Sequence, residues 1–129
     1  MIMIRQFRFS SIWITGAILL LVGITVGSLT PPDGAPVDQI PNLDKLIHFT
    51  SYLLLSLYLC SLIKPSWLFY VGTFCFLWGL GIEFIQPSVS RDFEWWDVLA
   101  NSLGVTAGIL LGQKFSPLMF LEQRFGSKK

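Results

Sequence analysis

Four long apolar segments dominate the chain, and shorter stretches rich in proline and in charged residues separate them. With their flanks, these segments cover residues 12–29, 46–63, 67–85 and 96–113. Each is close to the about 20 residues that an α-helix needs to cross about 30 Å of hydrocarbon. No alternation of apolar and polar positions runs through them, which argues against strands. The pattern predicts an all-α protein, an integral membrane bundle of four transmembrane helices.

The composition agrees with a membrane protein. Hydrophobic residues make up 53% of the chain, charged residues 13%, and the mean hydropathy is +0.63. A typical soluble domain carries about 25% charged residues. We therefore predict a single membrane domain over residues 1–129. The net charge of +1, without a basic run, argues against a nucleic-acid partner.

The distribution of basic residues predicts the orientation of the helices. Seven of the nine Lys and Arg residues fall on the side that holds both termini: Arg5, Arg8, Lys64, Lys114, Arg124, Lys128 and Lys129. The other side has Lys45 and Arg91. The positive-inside rule then places both termini in the cytoplasm. Residues 1–10 and 122–129 are predicted as short cytoplasmic ends, and the Pro- and Gly-rich residues 30–36 as an outward loop.

The first apolar segment has an alternative interpretation. A basic start, an apolar middle and small residues near Gly27 and Ser28 are also found in cleaved signal peptides. The apolar stretch is longer than the about 7–15 residues of a usual signal core, which favours a retained helix. Downstream, Asn42 is predicted to cap the second helix, since it follows Pro41 and precedes the apolar run.

Polar side chains interrupt the apolar pattern near one end of three predicted helices. They are Asp44, Lys45, His48 and Tyr52 on the second helix, Glu83 and Gln86 on the third, Arg91 in the connection, and Asp97 and Asn101 on the fourth. Residues three or four apart share a helix face. At about 1.5 Å per residue, His48, Glu83 and Asn101 lie within roughly 10 Å of the outer boundary. The spacing predicts one outward polar cluster, and ionisable residues near hydrocarbon often mark functional sites.

Most members of this cluster also have a purely structural explanation, and His48 can be a satisfied packing histidine. Asp44 and Asp97 suit the positive N-terminal ends of their helices. Lys45 can extend its ammonium to the membrane interface. Glu83 can form an ion pair with Arg91 or Lys45 that fixes the bundle. The amides can serve as hydrogen bonds between helices.

A row of glycines on the fourth helix predicts close helix packing. Gly104, Gly108 and Gly112 form two overlapping small-xxx-small steps. Gly23 and Gly27 on the first helix are a possible counterpart. Substituting these positions with bulky residues is expected to separate backbones that glycine lets approach.

Metal and cofactor motifs are not expected. The chain has one histidine and two isolated cysteines, which argues against a zinc site. It contains no P-loop, nucleophile elbow or dinucleotide fingerprint. We therefore predict no metal and no cofactor.

The ordered combination of these residues resembles the VanZ-like family. It reads Asp44-Lys45-x-x-His48-Phe49-x-x-Tyr52, Glu83-x-x-Gln86, Arg91, Asp97-x-x-x-Asn101-x-x-Gly104 and Gly108, within about residues 40–112. The resemblance implies a small multi-pass protein of the bacterial cytoplasmic (inner) membrane. The family's namesake is associated with lowered sensitivity to teicoplanin, a glycopeptide antibiotic that binds cell-wall precursors. The resemblance assigns no biochemical activity.

Three functional hypotheses follow. The leading one is a pocket for a cell-envelope lipid or amphiphile, with Lys45 and Arg91 holding an anionic headgroup. Its partners would be membrane lipids or lipid-linked envelope intermediates. The second is an enzyme in which His48 and a carboxylate, Glu83 or Asp97, perform acid–base chemistry on such a lipid. A proton-coupled transporter is the third, but the inner halves of the helices offer no ionisable path. Turnover and oligomeric state stay open.

Overall fold

The computed structural model describes residues 3–31, 33 and 39–126, and these residues form α-helices without a strand. The helices are α1 (Ser10–Leu29), α2 (Leu43–Leu62), α3 (Leu68–Ile85), α4 (Trp95–Lys114) and α5 (Pro117–Gly126). Short 3₁₀ turns precede and follow α3, at Pro65–Trp67 and Gln86–Val89. The all-α prediction is confirmed, and the four predicted helices have nearly the predicted bounds. Most of the predicted loop at 30–36, and the tail from Ser127 to Lys129, lie outside the described residues.

Three helical stretches are long and apolar enough to cross a membrane. They are Ser10–Leu29, Leu43–Leu62 and Pro65–Val89, the last of which is α3 with its flanking turns. At 20 residues, α4 is as long as α1 and α2. Its composition is more polar because Asp97 and Asn101 lie in its first two turns and Lys114 at its end. By composition alone, α4 therefore does not qualify as a membrane-spanning helix.

Close packing of α2 against α4 forms the centre of the fold. Three glycines make this contact: Gly104, Gly108 and Gly112. A Cβ atom on Gly104 would overlap the carbonyl oxygen of Phe49, and one on Gly108 would overlap the hydroxyl of Ser56. Only glycine allows two backbones to approach so closely. The glycine face of α4 therefore packs on α2.

The first helix lies at the periphery of the bundle. Within α1, Ala17 is the buried residue. An added Cβ at Gly23 or Gly27 would meet nothing within 4 Å. The prediction that these two glycines are the counterpart of the α4 glycines is therefore wrong.

The first turn of α2 differs from the sequence prediction. Asn42 adopts a left-handed conformation with φ of 61° and makes no side-chain capping hydrogen bond. Asparagine is one of the few residues that tolerate this conformation. It thus turns the chain into α2 through its backbone, and the predicted side-chain cap is wrong.

The N-terminal segment pairs with the chain that leaves α2. The backbone N–H of Arg5 donates to the Leu62 carbonyl at 2.9 Å, and the N–H of Lys64 donates to the Met3 carbonyl at 2.9 Å. This short antiparallel contact fixes the start of the chain at the end of the bundle where α2 terminates.

A fifth helix, which the sequence did not predict, extends into the C-terminal end. Pro117 starts α5, and the Glu122 carboxylate on this helix ties it to the beginning of α1. That carboxylate accepts hydrogen bonds from the indole of Trp13 at 2.6 Å and from the backbone N–H of Phe9 at 3.1 Å. It also accepts the backbone N–H of Arg8. Glu122 is therefore an anchor between the two ends of the described chain.

Candidate functional site

The start of α2, the end of α3 and the start of α4 meet at one end of the bundle, which we call the polar end. This arrangement brings together the side chains of a polar cluster: Asp44, Lys45, His48, Glu83, Glu94, Asp97 and Asn101. Four of these side chains are buried: His48, Glu83, Asp97 and Asn101. Buried ionisable groups are costly unless they are paired, so their contacts decide what the cluster can do.

Lys45 is the hub of the solvent-facing part of the cluster. Its Nζ lies 2.6 Å from Oδ2 of Asp44 and 2.9 Å from Oδ1 of Asp97. It also forms an ion pair with Glu94. One ammonium thus serves three carboxylates, and it joins the first turn of α2 to the first turn of α4.

His48 is the hub of the buried part. Its Nδ1 lies 3.0 Å from the side-chain oxygen of Asn101, a hydrogen bond between α2 and α4. Its Nδ1 is also 3.8 Å from Oε1 of Glu83, and its Nε2 is 3.6 Å from Oδ2 of Asp97. Because the amide oxygen only accepts, the imidazole donates from Nδ1, and in the neutral ring Nε2 then keeps a free lone pair.

Glu83 is fully buried on α3, and neither of its carboxylate oxygens has a hydrogen-bond partner among the described residues. The backbone N–H of Glu94 and the guanidinium of Arg91 lie near this carboxylate, but neither reaches hydrogen-bond geometry. The ion pair with Arg91 or Lys45 that would explain Glu83 structurally is absent from the described residues, where the side chain at ion-pair distance is His48. Glu83 is therefore left facing the cluster with two unused acceptors.

Tyr52 lies directly beneath these groups. Its side chain is buried, and its hydroxyl has no hydrogen-bond partner among the described residues. The backbone of α3 approaches it at Gly79, where an added Cβ would lie 3.0 Å from the tyrosine ring and 3.2 Å from the Asn101 amide nitrogen. Glycine at this position lets α3 close over the cluster.

Two predicted site residues contact the end of α1 instead of the cluster centre. The side-chain amide of Gln86 donates to the Ser28 carbonyl at 3.1 Å. The guanidinium of Arg91 donates to the Thr30 carbonyl at 3.0 Å. These two bonds hold the C-terminal end of α1 beside the polar cluster.

A groove runs between α1 and α2 and ends at the polar cluster. Its volume is about 660 Å³. The α1 wall is apolar and contains two glycines: Leu20, Gly23, Ile24 and Gly27. At the polar end, the groove is lined by Asp44, His48 and Arg91. The open space above the α1 glycines is thus continuous with ionisable groups.

Sequence reasoning missed Glu94 as a member of the cluster. Glu94 directly precedes α4 and lies three residues before Asp97, so a lysine on the neighbouring helix start can reach both. The three-residue spacing of Glu94 and Asp97 was the feature of the sequence that could have identified Glu94. The carbonyls of Ser28 and Thr30 carry no side-chain signal, and a sequence pattern could not have shown their role.

A small helical protein with membrane-length helices and a buried ionisable cluster is the class that this fold and site define. The family model described as VanZ/LLP1 matches residues 2–116, and the chain belongs to this family. The resemblance drawn from the motif is therefore confirmed. No curated protein and no solved structure matches the chain.

Proposed function

We propose that this VanZ/LLP1 protein binds a cell-envelope lipid or a lipid-linked envelope intermediate in the groove between α1 and α2. One observation carries the proposal: a single groove connects the apolar wall of α1 with Asp44, His48 and Arg91. Binding sites for amphiphiles need this combination of a mostly apolar surface and a few convergent polar groups. The apolar chain would lie along Gly23 and Gly27, and the headgroup would lie at the polar end.

The charges at the polar end indicate which headgroup fits. Lys45 is already engaged by three carboxylates, so it has little capacity left for an anionic ligand. Arg91 uses one donor on the Thr30 carbonyl, and a guanidinium has five N–H donors. Arg91 is thus the cation for one phosphate or carboxylate. Asp44 and His48 would accept hydrogen bonds from sugar or glycerol hydroxyls.

The orientation that we propose places four spans in the bacterial cytoplasmic membrane, with both termini in the cytoplasm. At the end opposite the polar cluster lie five basic residues of the described chain: Arg5, Arg8, Lys64, Lys114 and Arg124. This distribution supports a cytoplasmic position for that end. The polar cluster would then face outward, where glycopeptide antibiotics meet cell-wall precursors, and a link to antibiotic sensitivity would follow from binding such a precursor.

A specific contact also favours an enzyme as the second candidate. His48 lines the groove, and its two ring nitrogens lie 3.8 Å and 3.6 Å from the carboxylates of Glu83 and Asp97. A histidine oriented by an amide and flanked by carboxylates can transfer protons to or from a bound hydroxyl or ester. The substrate would be the same amphiphile, so binding and turnover share one site.

Native mass spectrometry of the protein purified in mild detergent separates these two functions. A co-purified anionic amphiphile that keeps its mass during incubation supports a binding protein. Conversion into a cleaved or transferred product, lost in His48→Ala, supports the enzyme. A protein that retains only the bulk membrane lipids, in their bulk proportions, would contradict both.

A further inference from the structure

We propose that His48, Glu83 and Asp97 bind a divalent transition-metal ion such as Zn²⁺ or Mn²⁺ inside the polar cluster. One ring nitrogen and one oxygen from each carboxylate lie within 4.8 Å of one another, and all three side chains are buried. Ligands at about 2.0–2.2 Å from a metal are at most about 4.4 Å apart. A small movement of the three side chains toward one another would therefore bring their ligand atoms to metal-binding distance.

The buried carboxylate of Glu83 gives an independent observation that points to a ligand. Its carboxylate is 0% exposed, and both oxygens lack a hydrogen-bond partner among the described residues. An unpaired carboxylate away from water is costly, and a bound cation removes that cost. Within the described chain, the side chain at ion-pair distance from Glu83 is His48, at 3.8 Å, whereas Lys45 serves three other carboxylates.

The groups around the three ligands have the arrangement expected of outer-shell partners. A metal-binding histidine usually gives its second ring N–H to a carbonyl or carboxylate, which fixes its orientation. Asn101 accepts such a bond from Nδ1 of His48 at 3.0 Å, which leaves Nε2, at 3.6 Å from Oδ2 of Asp97, to bind the metal. Similarly, Lys45 contacts Oδ1 of Asp97 and leaves Oδ2 directed toward His48. Each of these two ligands is thus held by a side chain that does not itself bind the metal.

The donor types select the class of metal. An imidazole suits zinc, copper, iron and nickel, and the two carboxylates also suit manganese, whereas Mg²⁺ and Ca²⁺ prefer shells made of oxygen alone. Three protein ligands with one nitrogen and two oxygens are also the number found in zinc sites that keep an open position. That position would face the groove, since His48 lines it. The cation site would exist whether or not the groove holds an amphiphile.

A count of histidines and cysteines predicted no metal, because the chain has one histidine. The other two ligands come from α3 and α4 and approach His48 only in the folded bundle. A proton is the competing occupant of this space, since a doubly protonated His48 could pair with both carboxylates. The experiment must therefore distinguish a metal ion from a proton.

The test measures bound metal and thermal stability on the detergent-purified full chain. After treatment with EDTA, ZnCl₂, MnCl₂ or CaCl₂ is added, the excess is removed, and metal content is determined by plasma mass spectrometry. We expect one Zn²⁺ or Mn²⁺ per chain, a higher melting temperature with that metal, and no comparable effect of Ca²⁺. Glu83→Gln and His48→Gln should lose the metal and the shift. Asn101→Ala should weaken the affinity by about 10–100-fold.

Asp92→Asn is the matched control, because Asp92 is an exposed carboxylate close to the cluster in sequence. It should bind metal like the parent protein. Glu83→Gln is expected to fold, since the amide has nearly the same shape and no charge to bury. Equal metal content in the parent, Glu83→Gln and His48→Gln would overturn the proposal. A parent protein that binds neither Zn²⁺ nor Mn²⁺ would also overturn it. That result would favour a doubly protonated His48 that pairs with both carboxylates.

Discussion

Lys45 Nζ lies 2.9 Å from Oδ1 of Asp97, and this ion pair joins the first turn of α2 to the first turn of α4. Asp97 is buried, and Lys45 is partly exposed. The same ammonium also forms ion pairs with Asp44 and Glu94. This residue therefore determines whether three carboxylates can stay together at the polar end.

Lys45→Met should destabilise the protein, because it leaves the carboxylates without their common cation. Breaking a fully buried pair costs about 3–5 kcal/mol. We expect about 1–3 kcal/mol here because water reaches Lys45. The measurement is the melting temperature in detergent. Lys64→Met is the control, since Lys64 is exposed and its described contact is through the backbone. An equal decrease in melting temperature in both variants would show that Lys45 does not stabilise the protein through these ion pairs.

Gly108→Ala tests the close contact of α2 with α4. The new methyl group would overlap the Ser56 hydroxyl and approach the Leu53 carbonyl, which requires the helices to separate. Overpacking of this kind costs about 1–3 kcal/mol or more. Gly81→Ala is the matched control, because a Cβ there meets nothing within 4 Å and alanine favours helix. A parent-like melting temperature for Gly108→Ala would contradict the observed packing.

Glu122→Ala should loosen α5 from the start of α1. It removes the acceptor for the Trp13 indole and for the Phe9 and Arg8 backbone N–H groups. These donors are partly exposed, so each lost hydrogen bond is expected to cost only the net contribution of about 0.5–1.5 kcal/mol. Hydrogen exchange should become faster in α5 and in the first turn of α1. Gln123→Ala changes the neighbouring exposed position and should leave the exchange rates of both segments unchanged. Equally fast exchange in Gln123→Ala would show that Glu122 has no specific role.

The proposed orientation predicts the behaviour of reporter fusions. A phosphatase fused after Ser127 should be inactive, because it would stay in the cytoplasm. The same enzyme inserted between residues 33 and 40 should be active outside. Inverted activities would move the polar cluster to the cytoplasmic side. An active C-terminal fusion together with an active 33–40 insertion would show that the number of spans is odd.

The helices and the convergence of polar groups were predictable because both follow from periodicity. His48, Glu83 and Asn101 lie at similar depths by residue count, and the structure brings His48 within 3.0 Å of Asn101 and 3.8 Å of Glu83. Contacts made by the backbone were not predictable. Arg91 donates to a carbonyl of Thr30, which any residue type could supply.

Partner choice between helices was also beyond the sequence pattern. The glycine row of α4 predicted close packing, but small residues occur on both α1 and α2, and spacing does not distinguish them. Ser56 on α2 lies where the Cβ of Gly108 would be, whereas Gly23 on α1 faces open space. The amphipathic α5 was missed because the ten residues from Pro117 to Gly126 are too few for a membrane segment.

Filling the groove is the most direct test of amphiphile binding. Gly27→Leu would place a side chain in the groove, where an added Cβ meets nothing within 4 Å. Gly81→Leu adds the same side chain at an open position on α3 that does not line the groove. Native mass spectrometry should show the bound amphiphile on the parent and on Gly81→Leu, and its loss from Gly27→Leu at an unchanged melting temperature. Full retention by Gly27→Leu would contradict binding in this groove.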